Sequence, residues 1–99
     1  VILVLGTVRL PPDRIDDARS AMVQMIEASR AEPGCIDYAY AVDIADPGLV
    51  RVTELWESRA ALERHFATPH LQQWRSSWPR LGIGERDLSM FECDHGQPV

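Results

Sequence analysis

The chain contains no lysine. All ten basic residues are arginine, scattered along the sequence, and fifteen acidic residues leave a net charge of −5. Nucleic acids and anionic membranes both select partners with clustered positive charge, so this balance argues against either. Long apolar runs are missing too. The leading segment V-I-L-V-L-G-T-V-R-L, residues 1–10, is too short to span a bilayer, and no basic segment precedes it as in a signal peptide. The first residue is Val rather than Met, so a few residues are expected to precede it naturally. Cysteine is scarce. Cys35 and Cys93 lie far apart without C-x-x-C spacing, and are expected to be buried free thiols in a reducing cytoplasm. The three histidines, His65, His70 and His95, have no standard ligand spacing either, so no metal is expected.

What is present suits one soluble domain. Of 99 residues, 45% are apolar and 25% charged, which argues against disorder. A chain this short buries a modest fraction of its surface, so association with a second copy is a natural source of stability.

Val1 to Leu10 is apolar on both alternations and predicts a strand buried on both faces. Pro11-Pro12-Asp13 stops it and opens a helix, in which Ile15, Ala18, Met22, Ile26 and Ser29 recur at helical spacing up to Glu32-Pro33-Gly34. Cys35 to Asp43 alternates, with Ile36, Tyr38, Tyr40 and Val42 on one face. A turn at Asp46-Pro47-Gly48 and a second strand from Leu49 to Glu57 complete a hairpin. Ser58 caps a short helix through Phe66, and Thr68-Pro69 starts another that Pro79 is expected to stop at Trp78. Glu85 to Cys93 returns as the last strand. The order β-α-β-β-α-β predicts a ferredoxin-like α+β fold: an antiparallel four-stranded sheet with helices on one face. Residues 1–93 form the expected single domain, and 94–99 a polar tail. The other sheet face also needs a cover, which predicts a homodimer with sheets facing.

The segment W-E-S-R-A-A-L-E-R-H-F-A-T-P-H, residues 56–70, concentrates rings. Alternation puts Val50, Val52, Glu54 and Trp56 on one sheet face, where a carboxylate is costly unless it is paired or used. His65 falls on the apolar stripe of its helix with Ala61, Leu62 and Phe66. Leu71, Trp74 and Trp78 form another stripe, with His70 one turn before Trp74. A neutral imidazole, aromatic plates, a buried carboxylate and strand tyrosines suit a flat aromatic ligand, from which a histidine takes a phenolic proton. The same residues also read as plain structure. His65 is equally a core histidine bonded to a carbonyl, and His70 packing at a helix junction. The tryptophans and Tyr38 and Tyr40 then fill the core, and Glu54 pairs with an arginine across a dimer.

Five short motifs occur in order: E-P-G-C-I-D-Y at 32–38, D-x-x-D-P at 43–47, E-L-W-E-S at 54–58, A-L-E-R-H at 61–65 and T-P-H at 68–70. Together they resemble the antibiotic biosynthesis monooxygenase family, which includes small quinol monooxygenases and is related to other dimeric α+β-barrel proteins. The resemblance covers residues 2–93. It implies a ferredoxin-like protomer, a dimeric barrel and one pocket per protomer between sheet and helices. It also implies oxidation of a quinol or polycyclic phenol by dioxygen, with no metal or flavin cofactor. Trp56 matches the tryptophan that lines the pocket in such enzymes, and His65 the histidine common in the quinol-monooxygenase-like branch. Other members isomerise a sugar phosphate or degrade haem. The haem-degrading branch carries a tryptophan at the position of His65, a histidine near Trp74-Arg75 and an asparagine where Gly6-Thr7-Val8 stands, so haem cleavage is not expected.

The resulting expectation is a cytoplasmic, cofactor-independent monooxygenase acting as a homodimer on a small aromatic substrate and dioxygen. His65 is the expected base, and Trp56, Tyr38, Glu54, His70 and Trp74 are the expected substrate-binding residues. An isomerase of a small metabolite that uses His65 as proton shuttle, and a non-catalytic dimer that binds a small molecule, are the alternatives.

Overall fold

The computed structural model describes residues 1–99. Strand β1 (Ile2–Arg9) is followed by a 3₁₀ turn (Pro12–Arg14) and helix α1 (Ile15–Arg30). Strands β2 (Cys35–Asp43) and β3 (Asp46–Trp56) form a hairpin. Helices α2 (Arg59–Phe66) and α3 (Pro69–Leu81) lead to β4 (Gly84–Glu92). The strands form one antiparallel sheet in the order β2-β3-β1-β4. This is the expected ferredoxin-like α+β fold.

Register follows from alternation. Ile2 faces Trp56, Val4 faces Glu54 and Val8 faces Val50, so the inward residues of β1 and β3 lie side by side. Tyr38 lies opposite Glu54 on the other flank of β3. These side chains are buried beneath the helices, as are Ala18, Met22, Met25 and Ser29 of α1. Met25 was not on the expected stripe of α1; it shares the inward side with the partly buried Ile26.

Four local expectations are corrected. The hairpin reverses at Ile44 and Ala45, not at Asp46-Pro47-Gly48, because Asp43 pairs with Asp46 and its carboxylate accepts the Ala45 N–H at 2.8 Å. Pro47 then falls in the irregular step between Val50 and Asp46, where no ladder N–H is required. A second register shift between Cys35 and Asp37 takes Ile36 out of the inward row and leaves it 46% exposed. Pro79 does not stop α3. The buried Leu81 carries the helix three residues past Trp78. Gly82, at φ 76°, ends it with the Ile83 N–H bonded to the Trp78 carbonyl at 3.0 Å. The expected burial of both thiols also fails, since Cys35 is half-buried and Cys93 exposed. Residues 93–99 carry no helix or strand and are exposed. No helix is long and apolar enough to cross a membrane.

Candidate active site

A cavity of about 460 Å³ lies between the inner sheet face and the helices. Its wall is mostly apolar: Val4, Val8, Val50 and Val52 from the sheet, Met22 from α1, and Leu62, Phe66 and Leu71 from α2 and α3. Tyr38, Tyr40, Trp74 and Trp78 supply aromatic surface. Tyr40 and Trp74 are stacked, with centroids 5.9 Å apart and planes at 20°. The Tyr38 and Tyr40 hydroxyls share a hydrogen bond of 2.7 Å. Burial raises both phenols well above their ordinary value, so they stay protonated at neutral pH.

His65 is held from three sides. Ser58 caps α2 by accepting the Ala61 N–H at 3.1 Å, which sets the helix that carries the ring. The Thr68 hydroxyl donates to the His65 carbonyl at 2.7 Å, tying the end of α2 to the start of α3. The ring itself is 1% exposed, and its Nδ1 lies 2.6 Å from Glu32 Oε2. The same oxygen lies 2.8 Å from His70 Nε2. An ionised carboxylate only accepts, so both ring nitrogens donate to it. That assigns the neutral His65 as the Nδ1–H tautomer with a bare Nε2. Nε2 lies 3.9 Å from Glu54 Oε1, and both residues line the cavity. Burial lowers the His65 pKa from its ordinary 6.5, against the pull of Glu32, so the ring is neutral near pH 7.

The expected site residues separate into two layers. His65, Tyr38, Glu54 and Trp74 line the cavity. Trp56 and His70 are not among the lining residues. Trp56 is fully buried behind Glu54 and donates its indole N–H to Glu54 Oε1 at 3.0 Å. Its ring centroid lies 4.6 Å from that of His65. His70 stands behind Glu32 and steadies it.

The first 77 residues match the family model described as antibiotic biosynthesis monooxygenase. The chain belongs to the antibiotic biosynthesis monooxygenase family. A protein of unassigned function from Synechocystis is 35% identical over 98 residues, covering 99% of this chain and 67% of its own length. A candidate monooxygenase from Mycobacterium tuberculosis is 38% identical over 64 residues, covering 61% of this chain and 62% of its own. The chain thus spans about two thirds of the length of these two relatives. A crystal structure of a candidate antibiotic biosynthesis monooxygenase from Deinococcus radiodurans superposes with a TM-score of 0.92 over 100% of this chain and 98% of that one. At 23% identity that likeness is one of fold.

As a family member, the chain carries site residues that spacing alone did not single out. Glu32 was visible only as part of E-P-G. It reaches His65 because Gly34 turns the chain at φ +87°, where a Cβ would lie 2.6 Å from the Ala61 Cβ. The expectation that no metal-ligand set exists weighed only histidine and cysteine spacing. Glu32, His65 and His70 in fact place three donor atoms within 4.8 Å of one another. Two zinc ligands at ordinary bond lengths sit about 3.3 Å apart. The observed 2.6 and 2.8 Å are hydrogen-bond separations, so the arrangement shares protons. Glu54 is pushed up to about 6 by burial, with the Trp56 N–H and Arg75 holding it down. Burial, helped by the charges of Glu32 and Glu54, pushes the Cys35 thiol up to about 11, so it stays an unreactive thiol at neutral pH.

Proposed function

We propose that this protein is a cofactor-independent monooxygenase that oxidises a quinol or polycyclic phenol with dioxygen. The observation that carries the reading is the bare His65 Nε2 in a largely apolar cavity, with Glu32 fixing the tautomer from behind. A phenolic O–H presented to Nε2 loses its proton there, and the imidazolium that forms lies between Glu32 and Glu54. The aromatic faces of Tyr38, Tyr40 and Trp74 hold the ring. The resulting phenolate is electron-rich enough to reduce dioxygen directly, and the apolar wall keeps water from the intermediate. Electrons balance without a cofactor: a hydroquinone plus dioxygen gives a hydroxyquinone and water, and the substrate supplies all four electrons. Trp56 acts as a positioning residue that backs His65 and holds Glu54.

The working unit in this reading is a homodimer in a reducing cytoplasm. On the outer sheet face Leu5 is 41% and Phe91 51% exposed, beside the half-buried Leu3 and Leu55 and with no charge among them. A second copy covering this patch would close the barrel.

Oxygen uptake on a panel of hydroquinones and anthrones tests the activity. Wild type is expected to consume oxygen in proportion to hydroxylated product, and His65→Ala to lose about 10²–10⁴-fold in kcat. Equal rates would reject His65 as base. Turnover of a metabolite in the absence of oxygen would instead favour an isomerase, which the same neutral, oriented imidazole would serve as a proton shuttle.

A further inference from the structure

Arginine is used in two ways in this chain. Arg9, Arg14, Arg19, Arg51 and Arg59 pair with carboxylates on the surface, and Arg30 donates to the Tyr38 carbonyl. Arg64 and Arg80 have exposed side chains without an ion pair, which water satisfies at no cost. Arg75 and Arg86 are different, because both line the cavity and neither has a carboxylate within 4.0 Å. Arg75 is half-buried on α3, and its guanidinium carbon lies 5.4 Å from the centre of the Trp78 ring. Burial first, and then the charge of Arg86, lower the Arg75 pKa, so the two cations are near enough to repel. The Trp78 indole N–H is buried with no acceptor. The one acid in the cavity wall, Glu54, accepts the Trp56 N–H and attracts Arg75 only from beyond ion-pair distance.

A chain of net charge −5 therefore brings two cations without an ion pair to the wall of one apolar hollow, beside the Trp78 ring. Glu54 acts on Arg75 only from beyond ion-pair distance, so a ligand anion would be the direct counter-ion of both cations. We propose that Arg75, Arg86 and Trp78 form a subsite for an anionic oxygen group, carboxylate or phosphate, borne by the aromatic ligand of the cavity. The guanidinium fork matches either group through paired N–H donors, and the ammonium of a lysine would not. The substrate is then a quinol or phenol that also carries a carboxylate or phosphate. This deepens, and rests on, the reading of the cavity as the substrate pocket.

Calorimetry of the full chain at neutral pH and low salt tests it with three redox-stable probes: 1-naphthoate, 1-naphthyl phosphate and 1-naphthol. At least one anion is expected to bind about tenfold or more tighter than 1-naphthol, and the preferred anion tells carboxylate from phosphate. The double variant Arg75→Gln, Arg86→Gln is expected to bring anion and naphthol within about twofold while naphthol affinity stays within about twofold of wild type. Arg86→Gln alone, at an exposed position, is expected to lose part of the preference with the fold untouched. Naphthol binding as tightly as both anions, or a preference that survives the double variant, overturns the subsite and leaves the aromatic pocket standing. Binding of none of the probes overturns the pocket reading and the subsite with it.

Discussion

The two faces of the sheet are built from the same alternating strands and end differently. On the inner face Val50, Val52, Glu54 and Trp56 are all nearly inaccessible, yet the helices above them do not close down onto the whole face. They leave a hollow in which His65 and Glu54 are oriented by hydrogen bonds from behind. On the outer face Leu3, Leu5, Leu55 and Phe91 form an apolar patch with nothing above it. Both faces expose apolar surface, but only the inner one arranges chemistry around it. A face meant for another protein surface needs shape and dryness, whereas a face meant for a reacting molecule needs a group with a defined proton.

The difference can be broken most forcefully at Trp56. Trp56→Ala removes a fully buried indole and leaves Glu54 without its donor, so a loss of about 3–5 kcal/mol in urea unfolding is expected. A loss below about 1 kcal/mol would mean that the inner layer is not the packed support described here. The outer face responds through association. Leu5→Asp with Phe91→Asp is expected to weaken self-association more than about hundredfold, giving a monomer in sedimentation velocity with an unchanged circular dichroism spectrum. A variant that stays dimeric, or a wild type that sediments as a monomer, would contradict the dimer.

The smallest effect is the most diagnostic of the inner face. Glu54 has a folded pKa of about 6, above its ordinary 4.5, so the folded state holds this proton more tightly than the unfolded chain. Its contribution to stability is present below pH 4.5 and lost as pH rises past about 6. Glu54→Gln keeps an acceptor for Trp56 and removes the titration. Relative to wild type, it is expected to gain about 1–2 kcal/mol on going from about pH 4 to pH 8. His65 has the opposite sign: its lowered pKa costs stability as pH falls below 6.5. Its Nε2 lies 3.9 Å from Glu54 Oε1, so Glu54→Gln also moves the His65 titration. The comparison is therefore read at its two ends: above pH 6.5 His65 is neutral in both proteins, and at about pH 4 a protonated Glu54 leaves it beside an uncharged neighbour in both. A pH-independent difference between them would mean that Glu54 titrates as an exposed carboxylate.

Alternation made the sheet legible. The inward row of β3 and the caps at Ser58 and Thr68 are local patterns that the structure keeps, and of the α2 stripe it buries Ala61, Leu62 and His65 but leaves Phe66 52% exposed. What escaped depends on partners distant in sequence. The bulge at Ile36 is set by register against β3, and α3 passes Pro79 because Leu81 has a core to enter. The site divides in the same way. His65, Glu54, Tyr38 and Trp74 were readable as inward-facing, but which ring meets the hollow and which lies beneath it is a matter of side-chain reach. Trp56 lies in the layer behind Glu54. Glu32 lies 33 residues from His65, and nothing in local spacing joins them. Arg75 hides beside Trp74, where the aromatic stripe draws attention from the charge next to it.

The central claim is that His65 presents a bare Nε2 to the cavity, with its proton on Nδ1 and Glu32 behind it. Nitrogen-15 spectra of histidine-labelled protein near neutral pH measure this directly, before and after saturation with a bound phenol. The account predicts a neutral His65 with protonated Nδ1 and unprotonated Nε2, the Nε2 signal moving when the phenol binds. A His65 protonated on Nε2 alone, or an Nε2 signal indifferent to a phenol bound in the cavity, would contradict it.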